Sequence, residues 1–61
     1  MFISEMDVYK INALLGMVND TRRLGQKCSI SNNLQDGTEF KIYHMGKENK
    51  TIRIDFKVKE E

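Results

Sequence analysis

Residues 50–59, K-T-I-R-I-D-F-K-V-K, alternate polar and apolar side chains without a slip. Ile52, Ile54, Phe56 and Val58 fall on one side; Thr51, Arg53, Asp55, Lys57 and Lys59 fall on the other. Successive side chains of a strand point to opposite faces, so a period of two specifies a β-strand with one dry face and one wet face. Such a strand is not stable alone. The rest of the chain must supply neighbouring strands and a cover for the apolar side.

Two further segments read as strands. Thr38–Met45 places Phe40, Ile42 and His44 on one side, and Lys27–Ser31 places Cys28 and Ile30 on one side. The expected strands therefore span about 27–31, 38–45 and 50–59. Asn32-Asn33-Leu34-Gln35-Asp36-Gly37 and Gly46-Lys47-Glu48-Asn49 are turn material.

The register of the last hairpin follows from its apolar residues. Phe40 and Ile42 must share a face with Ile52, Ile54 and Phe56, because a slip of one residue turns every side chain over. A three-residue loop, Lys47-Glu48-Asn49, meets this condition, and its closing asparagine tolerates a left-handed backbone. Phe40 then faces Phe56 and Ile42 faces Ile54. On the wet side Glu39 faces Lys57, Lys41 faces Asp55 and Tyr43 faces Arg53. Two of these are opposite-charge pairs, an arrangement that contributes ~0.2–1 kcal/mol per pair. In the first hairpin a tight Asp36-Gly37 turn would pair odd with even residues, so a longer loop or a bulge is expected.

The N-terminal third changes period. Val8, Ile11, Leu15 and Val18 recur at spacings of three and four, with Leu14 widening the stripe, which is the pattern of an amphipathic helix. Ser4 is the expected N-cap, with Glu5 and Asp7 at the positive end of the helix dipole. Gly25 is the expected residue past the C-cap, and Arg22 and Arg23 suit the last turn. The helix should run over about 5–24. The fold class is α+β: a single small αβββ domain with the helix across one face of a three-stranded antiparallel sheet. Its expected core is Val8, Ile11, Leu14, Leu15, Val18, Cys28, Ile30, Phe40, Ile42, Ile52, Ile54, Phe56 and Val58.

A chain of 61 residues is one domain, and a core of this size supplies only ~3–5 kcal/mol without a staple. Cys28 is the sole cysteine, so no internal disulfide can form. His44 is the sole histidine and has no cysteine near it in sequence, so no zinc site and no metal or other cofactor is expected. Association is the remaining staple, and we expect a homo-oligomer, in the simplest case a homodimer. The net charge of +1 offers no bulk attraction for nucleic acid. No apolar run is long enough to span a membrane, and the start Met1-Phe2-Ile3-Ser4-Glu5 lacks the regions of a signal peptide. With a lone cysteine this suggests a cytoplasmic protein.

Two surfaces are candidates for binding. Met6, Ala13, Met17 and Leu24 lie on a helix flank away from the core stripe, at i, i+7, i+11 and i+18, with Tyr9 beside them. A helix on a small sheet needs one buried stripe, and methionine suits adaptable contact surfaces. The bland alternative is that the flanks close over the sheet edges with help from Met1, Phe2 and Ile3. The second surface is the open sheet face, with Lys27, Lys41, Tyr43, Arg53, Lys57 and Lys59. Folds that bind single strands stack bases on several aromatics, and here there is one. A solvated face is the better reading.

The remaining features are weaker. Gly16 sits in mid-helix on the outer face, where it costs ~1 kcal/mol relative to alanine. Arg22-Arg23 reads as dipole complement rather than as a phosphate site. His44 reads as a half-buried structural residue and Cys28 as a small core hydrophobe. No nucleophile, acid–base pair or phosphate loop can be assembled, so no catalytic residue is named and no enzyme is expected.

The expected function is that of a small non-enzymatic protein-binding module, with Met6, Tyr9, Ala13, Met17 and Leu24 meeting the partner. A chain of this size starting at Met1 also suits a phage or mobile-element inhibitor of a host protein, an expectation that rests on size alone. The alternative is a weak nucleic-acid binder using Lys41, Tyr43, Arg53 and Lys57.

Overall fold

The computed structural model describes residues 1–45 and 50–58. It has one helix, α1 (Glu5–Arg23), followed by three strands, β1 (Cys28–Asn33), β2 (Glu39–His44) and β3 (Ile52–Lys57). The strands form an antiparallel sheet in the order β1-β2-β3, with α1 packed on one face. This is the αβββ arrangement that the two periods of the sequence predict.

Both ends of α1 are closed by local chemistry. Ser4 is the N-cap: its Oγ accepts the Asp7 N–H at 3.1 Å, and Asp7 Oδ2 accepts the Ser4 N–H at 3.0 Å. This reciprocal box satisfies two helix donors that would otherwise lack partners. At the other end Gly25 takes φ 78°. The Gly25 N–H donates to Arg22 O at 2.9 Å and the Gln26 N–H to Thr21 O at 3.2 Å. That is the paired closure a left-handed residue permits, and glycine adopts it without steric penalty.

The β2–β3 register is the one the apolar residues require. Phe40 faces Phe56, Ile42 faces Ile54, Glu39 faces Lys57, Lys41 faces Asp55 and Tyr43 faces Arg53. The loop Lys47-Glu48-Asn49 and Lys59 lie outside the described residues. Strands β2 and β3 are shorter than expected because each ladder ends with its partner. β2 stops at His44, whose ladder partner is Ile52, the first residue of β3. β1 is longer and later than expected, since Asn32 and Asn33 pair with Phe40 and Glu39.

The first hairpin has the longer loop that parity demands. The Leu34 N–H donates to Thr38 O at 2.8 Å, leaving Gln35-Asp36-Gly37 as a three-residue loop. The Gly37 N–H donates to Leu34 O at 3.0 Å, and Gly37 takes φ 91°. A turn followed by a left-handed glycine is the usual form of such loops. Asp36 Oδ1 accepts the Thr38 N–H at 2.9 Å.

The fully buried core is Val18, Leu34, Phe40 and Ile42, with Ile11, Leu14, Leu15, Cys28, Ile30, Ile52 and Ile54 partly buried around it. Leu34 is a core residue that its turn-rich surroundings hide in the sequence. Three expected core residues are exposed instead: Val8 at 45%, Phe56 at 40% and Val58 at 51%. One cause accounts for Phe56 in β3 and Val58 just past it. The connection from α1 to β1 is short, and α1 packs against β1 and β2. A helix ~10 Å wide covers about two strands spaced ~4.8 Å apart. The inner side of β3 is therefore left partly open. Val8 is on the flank of α1 turned away from Lys10, whose Nζ reaches Asn33 O of β1 at 3.0 Å.

Candidate functional site

All five residues of the surplus helix stripe are exposed. Met6, Tyr9, Met17 and Leu24 are 64%, 62%, 57% and 75% exposed, and Ala13 is exposed between them. The bland reading, in which this flank folds over a sheet edge, does not describe the molecule. Met1, Phe2 and Ile3 do not close over an edge either: their side chains are exposed, although the Phe2 N–H is anchored to Asp36 Oδ2 at 2.8 Å. The Tyr9 hydroxyl donates to Glu5 Oε1 at 3.3 Å, which holds the ring along the helix surface. Among the described residues, nothing beyond the neighbouring backbone of α1 itself lies within 4 Å of a Cβ built on Gly16.

The first turn of α1 is fixed to the β1–β2 hairpin by a buried carboxylate. Asp7 is buried, and its Oδ1 accepts the Gln35 N–H at 3.1 Å while Oδ2 accepts from Ser4. Burial pushes its pKa up, but the Ser4 and Gln35 hydrogen bonds and the Lys10 charge outweigh this and hold it below the usual aspartate value. Asp36 is brought down to about 2, chiefly by the Phe2 N–H and then by Thr38. These two carboxylates orient the helix on the sheet, and so orient its exposed flank.

The open sheet face is arranged differently from the simple pairing of opposite charges. Lys41 and Asp55 are opposite in register, as are Glu39 and Lys57, yet neither couple forms an ion pair among the described residues. Asp55 instead accepts the Tyr43 hydroxyl at 3.0 Å and lies 3.9 Å from the Arg53 guanidinium. Lys41 Nζ stands 5.0 Å from the Tyr43 ring centroid and the Arg53 guanidinium carbon 5.8 Å from it. The long tyrosine reaches its diagonal neighbour, which a count of directly opposite residues misses. The Asp55 hydrogen bond raises the Tyr43 pKa, with burial adding to it and Arg53 opposing it. Lys57 is exposed at the end of β3. This face holds one aromatic ring with two cations gathered against it, above a shallow depression lined by Lys41, Tyr43, Arg53 and Asp55.

His44 is buried rather than half-buried, because its even position in β2 points beneath the helix. Cys28 is partly buried beside the core. Arg22 donates from Nε and Nη2 to Asn19 Oδ1 at 3.0 and 2.8 Å, so its fork is engaged within α1. Among the described residues no three or more His, Cys, Asp or Glu gather as a metal site would require, and no helix is long and apolar enough to cross a membrane. Compared with protein-family models, curated proteins and solved structures, the chain matches none.

Proposed function

We propose that this chain is a non-catalytic protein-binding module whose contact surface is the outer flank of α1. The observation that carries this reading is the exposure of Met6, Tyr9, Met17 and Leu24 along one side of a helix whose other side already completes the core. Exposed apolar side chains gathered in a patch mark interaction sites, and methionine and tyrosine are the types that adapt to and anchor such contacts. Ala13 lies between them and Gly16 borders them, and both leave room for a partner's backbone. The function is then steric: the bound partner is occupied or held, and no bond is made or broken.

Nucleic-acid binding through the sheet face has less support. Tyr43 already has Lys41 and Arg53 against its ring and Asp55 on its hydroxyl, so stacking a base there requires displacing intrachain contacts. Affinity capture from a lysate of the encoding organism, with and without nuclease, tests the choice. A protein retained in both arms fits the module. Retention that vanishes with nuclease, and falls steeply with salt, belongs to phosphate binding and contradicts it.

A further inference from the structure

Strand β3 is an edge of the sheet, and its inner side is the part of the apolar face that α1 leaves open. Ile52 and Ile54 are partly buried, and Phe56 is exposed at the end of the same row. Natural edge strands are blunted by proline, by a bulge, by an inward-pointing charge or by a row of like charges along the edge. β3 contains no proline, pairs residue for residue with β2, and carries only Ile52, Ile54 and Phe56 on its inner side; its outward charges, Arg53, Asp55 and Lys57, are of mixed sign rather than a repelling row. The other edge, β1, carries Ser29, Ser31, Asn32 and Asn33, and Lys10 takes the Asn33 carbonyl.

We propose that a second copy of this chain pairs with β3, antiparallel, about a two-fold axis through Ile54, joining two three-stranded sheets into one of six strands. The β3 sequence is complementary to itself in this register. Ile54 meets Ile54 of the second copy, and Ile52 meets Phe56, so apolar side chains stay on the face that carries the helices. Arg53 meets Asp55 of the second copy, and by symmetry Asp55 meets its Arg53. Neighbouring registers lack this property. An axis through Asp55 sets Asp55 against Asp55 and Arg53 against Lys57, and one through Arg53 sets two guanidiniums together. An axis through Phe56 matches Asp55 with Lys57 but pairs only Asp55, Phe56 and Lys57 within the strand. The dimer covers Phe56 with the second copy's Ile52 and leaves the helix flank outward for another protein.

Sedimentation equilibrium of the full chain tests this. The expected mass is twice the 7.1 kDa of one chain. A monomer at about 1 mM, where even an association of only ~4 kcal/mol is half formed, overturns the proposal. Arg53→Asp alone and Asp55→Arg alone should each weaken dimerisation by about tenfold, since each replaces two attractive pairs by two repulsive ones. Mixed one to one, the two variants should recover the dimer, because every Asp then faces an Arg. Failure of the folded variants to recover on mixing overturns the register. Met17→Glu should keep the doubled mass, and a monomeric Met17→Glu would place the dimer on the helix flank instead. Should the charge variants not fold, NMR on mixed labelled and unlabelled wild type decides: contacts between Ile52 and Phe56 of different copies are expected, and their absence from a dimer contradicts the proposal.

Discussion

The Asp7 carboxylate accepts the backbone N–H of Gln35 at 3.1 Å, joining the first turn of α1 to a hairpin loop twenty-eight positions later. The same carboxylate closes the capping box with Ser4. One buried side chain thus serves the helix end and the packing of helix on sheet together.

Acid should undo this junction. Asp7 and Asp36 both hold their protons more weakly in the fold than the ordinary value of 3.8, Asp36 at about 2. The folded state therefore binds fewer protons than the unfolded chain, and acid favours unfolding. The stabilisation is fully present above the unfolded value and is lost as pH falls toward about 2. Urea midpoints followed by circular dichroism from pH ~7 to ~2 should fall mainly below pH ~4, and Asp36→Asn should flatten that fall.

Leu34 should matter more than its turn-like surroundings suggest. It is 3% exposed, and removing a buried leucine side chain costs about 2–5 kcal/mol. That approaches the whole stability of so small a core. Leu34→Ala should be largely unfolded at 25 °C, whereas Val58→Ala should change stability by less than about 0.5 kcal/mol. Thermal melts of the two variants check the corrected core.

Gly16→Ala should stabilise the chain. A Cβ there meets open space, and alanine is favoured over glycine in mid-helix by ~1 kcal/mol. The melting temperature should rise by about 4–8 °C. Loss of partner binding in this more stable variant would locate the contact at Gly16.

Tyr43 should ionise above the ordinary tyrosine value of 10.0, because its hydroxyl donates to the Asp55 carboxylate. Its raised pKa means the bond stabilises the fold below the unfolded value and is lost as pH rises through the folded one. In a Tyr9→Phe background, absorbance titration should follow Tyr43 alone, and Asp55→Asn should lower its midpoint.

The fold was legible where a single period ran through many residues. The unbroken alternation at Ile52, Ile54 and Phe56 set the β2–β3 register, and parity excluded a tight turn at Asp36-Gly37. What stayed hidden depends on placement in three dimensions. Leu34 sits among turn formers and is buried only because the hairpin tip tucks under α1 beside Asp7. Val8, Phe56 and Val58 have the right period for a core, but period does not reveal that the short link to β1 draws the helix away from β3. On the open face, the diagonal reach of Tyr43 to Asp55 displaced the opposite-charge pairing that register alone suggests. Met6, Tyr9, Ala13, Met17 and Leu24 could be placed on one flank from helical spacing, and that flank is exposed.

Whether the contact surface is the outer flank of α1 is decided by comparing capture by the wild type, Met17→Glu and Lys41→Glu from one lysate treated with nuclease. Circular dichroism first establishes that all three are folded. A protein should be retained by the wild type and by Lys41→Glu and lost by Met17→Glu. Retention of that protein by Met17→Glu, or its loss with Lys41→Glu alone, would contradict the placing of the contact surface on the outer flank of α1.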